Sequence, residues 1–128
     1  MICPFQVLGF EKYYIILFPT NLNNKTMNWK KLQNGSDIRG VALEGIEGEH
    51  VNLTPEVIET IAKSFVCWLR GVSGNAVPTI ATGTDCRLSG DSIKSAFVKG
   101  AVDAGANVVD CGLASTPAMF MTTISEQV

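Results

Sequence analysis

Residues 77–113 alternate between two hydrophobic patterns, and this alternation constrains the fold more than any other feature of the sequence. Residues 77–84 and 107–113 are short runs rich in Val, Ile, Ala and Thr, a composition typical of buried strands. Between them a helical pattern begins at Ser89 or Gly90 and is predicted to end at Gly105. Two strands joined by a helix in this way lie parallel, with a right-handed crossover. The chain is therefore predicted to form an α/β fold with a mostly parallel sheet.

A second helix pattern precedes this unit, at residues 53–71. Thr54 is a suitable N-cap, and the proline after it suits the first helical position. On the polar side, Glu59 and Lys63 have the spacing of an ion pair within one helix, and Gly71 is predicted to end the helix. The apolar residues fall three and four apart and predict one buried stripe, which comprises Val57, Ile58, Ile61, Ala62, Phe65, Val66 and Leu69.

The helix between the two strands carries small residues on its apolar face. That face comprises Ile93, Ala96, Phe97, Gly100, Ala101 and Ala104. Because small side chains allow a close approach, we expect this face to lie against the sheet. A third helix is predicted at residues 117–124, with Ser115 or Thr116 as its cap. The fold class predicted from these elements is a three-layer α/β/α domain, with helices on both faces of the sheet.

The chain has 128 residues, the length of one domain, and its composition excludes several classes of protein. With 46% hydrophobic residues it is not a disordered low-complexity chain. A net charge of −2 argues against a nucleic-acid surface built on bulk positive charge. The apolar run at residues 13–18 is too short for a membrane span, which needs about 20 residues, and lacks the flanks of a signal peptide. We predict a soluble protein with no nucleic-acid partner and no membrane partner.

Residues 1–31 differ in composition from the rest of the chain. They hold four lysines and one acidic residue, and the asparagine cluster at residues 20–28 is typical of a loop or linker. We therefore predict an N-terminal extension, loop or disordered, at residues 1–31. The α/β domain is predicted to occupy residues 32–128.

The cysteines form no Cys-x-x-Cys pair; they are Cys3, Cys67, Cys86 and Cys111. Three of the four, all except Cys86, have apolar neighbours, which favours free, buried thiols and therefore a reducing intracellular compartment. The single histidine, His50, lies in a polar stretch and is expected to be exposed. Because no spacing of zinc ligands occurs, no residue is assigned to a metal.

Three loop segments contain residue types that bind phosphate. In the first, residues 34–40, the planar guanidinium of Arg39 can hold a phosphate through two hydrogen bonds. From spacing alone, the favoured interpretation is instead a turn in which Arg39 pairs with Asp37 or with another surface acid. In the second, residues 83–90, a structural pairing of Asp85 with Arg87 that caps the turn is favoured over phosphate binding.

The third segment, Ser115-Thr116-Pro117, is a helix start, and helix capping is its favoured role. With one histidine and no G-x-S-x-G turn, the sequence supports no catalytic triad. Around the first segment, the apolar residues Ile38, Val41 and Leu43 predict a short strand or an extended arm.

In this order, the three segments resemble the first domain of the α-D-phosphohexomutases, the phosphoglucomutase/phosphomannomutase group. The matching motifs are Asp37-Ile-Arg-Gly40, Gly83-Thr-Asp-Cys-Arg87 at the end of a strand, and Gly112-Leu-Ala-Ser-Thr-Pro117 after the next strand. The resemblance covers residues 32 to about 124, and residues 34–40 are most similar to plant-type members. The ordered set is more specific than any one motif alone.

The resemblance implies reversible transfer of a phosphoryl group between positions 1 and 6 of a hexose phosphate. In a complete family protein this uses a phosphoserine, Mg²⁺ and a hexose bisphosphate intermediate. Carried onto this chain, Arg39 contacts the phosphate and Ser36 lines the same cleft. The loop residues implied near the cleft have structural roles; they are Asp37, Gly40, Asp85, Arg87, Thr116 and Pro117.

The chain departs from the family pattern in the elements that carry the chemistry. The family's catalytic serine loop lies beyond residue 124, and its Asp-x-Asp-Gly-Asp metal loop is not present. We therefore expect an incomplete first domain with no catalytic residue and no cofactor of its own, inactive alone, in the cytoplasm or a plastid. The alternative is a non-catalytic module that binds phosphosugars or a partner.

Overall fold

The computed structural model describes residues 27–45 and 47–125. The extension predicted at residues 1–31 therefore lies outside the described residues as far as residue 26. The tail at residues 126–128 and Cys3 also lie outside them. A short 3-10 helix, Trp29–Leu32, opens the described chain, and Met27 and Trp29 pack against the core.

The predicted strand–helix–strand unit is confirmed. The elements in chain order are β1 (Gln33–Asn34), β2 (Asp37–Ile38), α1 (Pro55–Ser73), β3 (Thr79–Thr84), α2 (Gly90–Asp103), β4 (Asn107–Leu113) and α3 (Thr116–Ser125). Strands β1 and β2 form a small antiparallel hairpin, whereas β3 and β4 are parallel, with Ile80 opposite Val108. None of the helices in the described part of the chain has the length and hydrophobicity needed to cross a membrane.

Helices cover both faces of the β3–β4 sheet, so the predicted α/β/α layering is confirmed. Successive strand residues point to opposite faces. Ile80 is buried in the core with Ala96 and Phe97 of α2. Gly83 lies on the other face, where an added Cβ atom would be 2.6 Å from the Sδ atom of Met119 in α3.

The core lies mainly between α1 and α2. The buried residues contributed by the two helices are Ile58, Ala62 and Val66 of α1 and Ala96, Phe97 and Ala101 of α2. The expectation that the small residues of α2 all serve its approach to the sheet is wrong for Gly100. A Cβ atom at Gly100 would lie 2.5 Å from the carbonyl oxygen of Glu59 in α1. The missing side chain therefore lets the two helices touch through their backbones.

Helix α1 starts as predicted but ends later. The Thr54 hydroxyl accepts a hydrogen bond from the Val57 amide at 3.4 Å, which confirms the cap. The predicted stop at Gly71 is wrong, because the helix continues to Ser73 and Gly74 takes the left-handed conformation with φ 68°. A helix ends where the backbone adopts that conformation, not at the first glycine of the sequence.

The other boundaries follow the same local rules. Strand β4 has the predicted bounds, whereas β3 begins at Thr79, two residues late, because Val77 is exposed and the proline after it has no N–H. The predicted Ser115 cap of α3 is confirmed, since its hydroxyl accepts from the Ala118 amide at 3.4 Å. The strand or arm predicted around Ile38 is a strand only at Asp37–Ile38.

The ion pair predicted within α1 is replaced by pairs between helices. Glu59 accepts from the ammonium of Lys99 in α2 at 2.6 Å, and Lys63 lies 3.7 Å from Asp103. Hydrogen bonds to Glu59 and then to Asp103 raise the pKa of the Lys99 ammonium. Glu59 and Lys63 therefore pair with residues of α2 and not with each other. The spacing of residues within α1 cannot reveal partners on another helix.

The thiols of Cys67, Cys86 and Cys111 are free, as predicted, but the expected burial is wrong for two of them. Cys67 and Cys86 are exposed and Cys111 is half-buried. Cys67 shares a helix face with Lys63 and with Gly71, both exposed, because residues four apart lie one above the other. Its apolar neighbours in sequence lie on another face of α1.

Arg70 ties the end of α1 to the end of α2. Its Nε donates to the carbonyl oxygen of Ala76 at 2.7 Å, and its Nη2 donates to that of Gly105 at 3.1 Å and also to that of Ala104. A single guanidinium on α1 therefore satisfies a carbonyl group in the loop after α1 and two carbonyl groups that follow the end of α2.

Two glycine substitutions test the helix contact. Gly100→Ala should destabilise the domain by about 1–3 kcal/mol, because the new methyl group meets the α1 backbone. Gly71→Ala, in an exposed position with no atom near the new methyl group, should stabilise it by about 0.5–1 kcal/mol. Urea unfolding followed by circular dichroism measures both free energies. Equal effects of the two substitutions would contradict the close contact.

Candidate functional site

The first candidate segment forms the β1–β2 hairpin and the residues after it. Asn34 pairs with Asp37, so Gly35 and Ser36 form a two-residue turn, and Gly35 has the positive φ of 61° that such turns require. The Arg39 amide then donates to the carbonyl oxygen of Leu32 at 2.8 Å. This bond extends the hairpin and fixes the backbone of Arg39.

The hairpin is anchored to the start of α1 by Val41. Its amide donates to the Oδ1 atom of Asn52 at 2.7 Å, and its carbonyl oxygen accepts from the amides of Asn52 and Leu53 at 3.0 Å. Gly40 lies at the same crossing, where a Cβ atom would collide with the side chains of Asn52 and Leu53. Glycine is therefore required at this position for space, and Leu53 is buried.

Arg39 and Asp37 form an ion pair of 2.9 Å, so the pairing predicted for this segment is present. The Arg39 side chain is 49% exposed, whereas that of Asp37 is 15% exposed. Within the described chain the guanidinium has no other hydrogen-bond partner, so most of its five N–H donors are available to an anion. The Ser36 hydroxyl donates to the same Asp37 carboxylate at 3.4 Å, which places Ser36 beside the pair.

The second candidate segment follows β3 and has the structural role that the sequence favours. The guanidinium Nε of Arg87 lies 3.2 Å from the Oδ2 atom of Asp85, and the Arg87 amide donates to Oδ1 at 3.1 Å. The Gly90 amide donates to the carbonyl oxygen of Arg87 at 2.9 Å, at the first turn of α2. This pair therefore closes the turn that leads from the strand into the helix.

The third candidate segment joins the second at the carboxyl edge of the sheet. The Ala114 amide donates to the carbonyl oxygen of Thr84 at 2.9 Å, and the Thr84 hydroxyl donates to that of Gly112 at 3.4 Å. Thr116 and Pro117 open α3 and are exposed. The ends of β3 and β4 therefore form one continuous loop surface.

The structure does not join all three segments into one site. Across the described residues, no hydrogen bond or ion pair links Ser36 or Arg39 to Asp85 or Arg87. Nor do these residues contain three or more His, Cys, Asp or Glu side chains placed to hold a metal ion. The Mg²⁺ implied by the resemblance therefore finds no fitting donor set here, and no step is assigned to it.

Asp110 is a notable residue of the sheet edge that the sequence reasoning missed. Its carboxylate accepts from the Gly112 amide at 2.9 Å and pairs with Lys94 of α2 at 3.0 Å. These two interactions, the Gly112 bond first, lower the pKa of the Asp110 carboxyl. The strand register shifts between Thr82 and Thr84, beside Gly112 with its φ of 66°. An aspartate two residues before a glycine at a strand end is the signal that could have predicted this turn.

A family model matches the amino-acid sequence along most of the chain. The phosphoglucomutase/phosphomannomutase alpha/beta/alpha domain I matches residues 30–128. The chain belongs to this family.

Relatives named as phosphohexomutases match about two thirds of the chain. The phosphoglucomutase/phosphomannomutase of Thermococcus kodakarensis is 35% identical over 86 residues, which cover 67% of this chain and 17% of the relative. The phosphoglucosamine mutase of Dictyoglomus turgidum is 40% identical over 86 residues, which cover 66% of this chain and 17% of the relative. The chain thus spans less than a fifth of the length of these relatives. No solved structure matches it.

The lowered pKa of Asp110 predicts a pH-dependent contribution to the stability of this phosphohexomutase domain. The carboxylate stabilises the folded domain above the ordinary aspartate pKa of about 3.9, and this contribution is lost as the pH falls through the lowered pKa of the folded state. Thermal unfolding midpoints of the native chain and of Asp110→Asn should therefore differ most near neutral pH. The difference should shrink in acid.

A control separates the two partners of Asp110. Lys94→Gln removes the ion pair but keeps the Gly112 hydrogen bond, so it should reproduce only part of the difference between the native chain and Asp110→Asn. A difference between those two proteins that stays constant from neutral to acid pH would contradict the assigned role of the carboxylate.

Proposed function

We propose that residues 33–40, the β1–β2 hairpin with Arg39 and Gly40, form the phosphate-binding arm of a phosphohexomutase domain I, with a hexose phosphate as its ligand. The observation that carries the proposal is the Arg39 guanidinium, half exposed on a backbone that hydrogen bonds hold in place. Family membership supports it, because the chain keeps the Asp37-Ile-Arg-Gly40 motif within the matched residues.

The chemistry of the arm suits a phosphate dianion. Arginine presents parallel N–H donors that match phosphate oxygens, and Asp37 orients the guanidinium from one side. Ser36, also exposed, lies next to the pair and donates its hydroxyl to the Asp37 carboxylate. Phosphoryl transfer depends largely on positioning and on neutralisation of charge, which is what an anchored arginine contributes.

The proposal extends to the reaction only at the level of the whole family protein. There the arm would serve reversible phosphoryl transfer between positions 1 and 6 of a hexose phosphate, with Mg²⁺ and a hexose bisphosphate. For this chain we propose binding without turnover, since its described residues supply no group of three or more side chains placed to hold a metal ion. The exposed free thiols of Cys67 and Cys86 favour a reducing compartment, the cytoplasm or a plastid.

Titration of the chain with glucose 1-phosphate or glucose 6-phosphate, followed by calorimetry, tests the binding. Arg39→Ala should weaken the affinity about tenfold or more, because it removes charge-assisted hydrogen bonds worth about 1.5–3 kcal/mol. Arg87→Ala is the matched control, since Arg87 lies at the same spacing from its own aspartate and should leave the affinity unchanged. Equal losses in the two variants would contradict the assignment to Arg39.

Turnover is tested separately with the purified 128-residue chain. A coupled assay that detects glucose 6-phosphate formed from glucose 1-phosphate should give no rate above background, with or without magnesium. A magnesium-dependent rate that increases with the concentration of the chain would overturn the proposal of binding without catalysis.

A further inference from the structure

The tip of the β1–β2 hairpin holds Asn34 and Gly35, the single Asn-Gly step in the sequence. Both residues are exposed. An asparagine followed by glycine is open to attack on its own side chain, because glycine has no Cβ to hinder the approach of its backbone nitrogen. The step lies within five residues of Arg39 in the proposed phosphate-binding arm.

The geometry of the turn leaves this nitrogen accessible. Gly35 is the first central residue of the two-residue turn, and the space where a Cβ atom would stand has no neighbour within 4 Å. Among the hydrogen bonds of the described residues, none is donated by the Gly35 amide to a side chain or across a turn. Neither packing nor hydrogen bonding in the turn therefore holds that nitrogen away from the Asn34 side chain.

We propose that Asn34 is a site of spontaneous deamidation. The Gly35 backbone nitrogen attacks the Cγ atom of Asn34, so that a C–N bond forms, the bond to the side-chain nitrogen breaks, and ammonia leaves with the amide proton. Water then opens the resulting cyclic imide at either carbonyl, which yields aspartate or isoaspartate. The reaction needs no reagent other than water and no other residue of the chain.

The product changes the charge of the arm. Asn34 stands directly opposite Asp37 in the hairpin, so conversion places two carboxylates face to face, an arrangement that destabilises a strand pair. The isoaspartate form also lengthens the backbone within a two-residue strand. On the basis of the proposed function, the added negative charge close to Arg39 should weaken phosphate binding.

Two other asparagines provide internal controls. Asn52 is held by the hydrogen bond from the Val41 amide to its Oδ1 atom and is followed by leucine. Asn75 is exposed like Asn34, but it is followed by alanine, and its Oδ1 atom accepts from the Val77 amide at 3.0 Å. Both should remain intact while Asn34 reacts.

The experiment incubates the full chain at mildly alkaline pH and 37 °C and follows each asparagine by peptide mass spectrometry and isoaspartyl methylation. We expect Asn34 to convert on the order of tenfold faster than Asn75, because only Asn34 precedes a residue without Cβ. Gly35→Ala should slow the conversion of Asn34. Asn34→Gln should abolish the isoaspartyl signal from this peptide. An Asn34 that persists as long as Asn75, or that converts equally fast in Gly35→Ala, would overturn the proposal.

A second measurement tests the effect of deamidation on binding and separates a failure of the deamidation proposal from a failure of the proposed function. Aged and fresh chains, separated by charge, are titrated with glucose 6-phosphate, and the aged form should bind about tenfold more weakly if the new carboxylate offsets the Arg39 charge. Absence of binding by the fresh chain would contradict the proposed function. The peptide mass spectrometry would still show whether Asn34 is deamidated.

Discussion

The contact between α1 and α2 at Gly100 is the constraint on which the rest of the domain depends. Because the residue has no side chain, the backbone of α2 reaches the backbone of α1 near Glu59, and the apolar residues of both helices close around one core. Helix α2 also packs on β3 and β4 through Ala96 and Phe97. The position of α1 relative to the sheet therefore follows from this one crossing, with Arg70 fixing the far ends of the two helices.

The position of the proposed binding arm depends on the contact between α1 and α2. The arm is tied to the chain just before α1, where Val41 exchanges hydrogen bonds with Asn52 and Leu53. Leu53 is buried in the same core that the two helices form, and Gly40 lets the arm pass over it. A substitution that shifts Leu53 in the core can therefore move the backbone of the arm, and with it Arg39, through the hydrogen bonds of Val41. No described hydrogen bond offers a more direct route from the sheet edge to Arg39.

The features that sequence alone predicted are those with local causes. Thr54 and the proline after it start α1 through the chemistry of the first turn, and the alternation of patterns is enough to predict the parallel β3–β4 pair. The features that it missed depend on neighbours distant in sequence. Lys99 attracts Glu59 away from its partner within α1, and Gly100 faces a helix instead of the sheet. For the candidate site, the sequence supplied Arg39, its alternative partner Asp37 and the two loops that share the carboxyl edge of the sheet. It could not tell that, among the described residues, Arg39 has no hydrogen bond or ion pair to those loops.

The pairing of Arg39 with Asp37 does not compete strongly with a phosphate. The arginine side chain is about half exposed, and an ion pair in such a position contributes only about 0–1 kcal/mol to stability. Hydrogen bonds between a charged donor and a phosphate are worth about 1.5–3 kcal/mol each, so a phosphate can bind the guanidinium while Asp37 still orients it. A second carboxylate at position 34 would alter that balance, because the arm would then carry two negative charges against one positive charge. Because the side-chain amide of Asn34 is uncharged, it leaves the positive charge of Arg39 available to a phosphate.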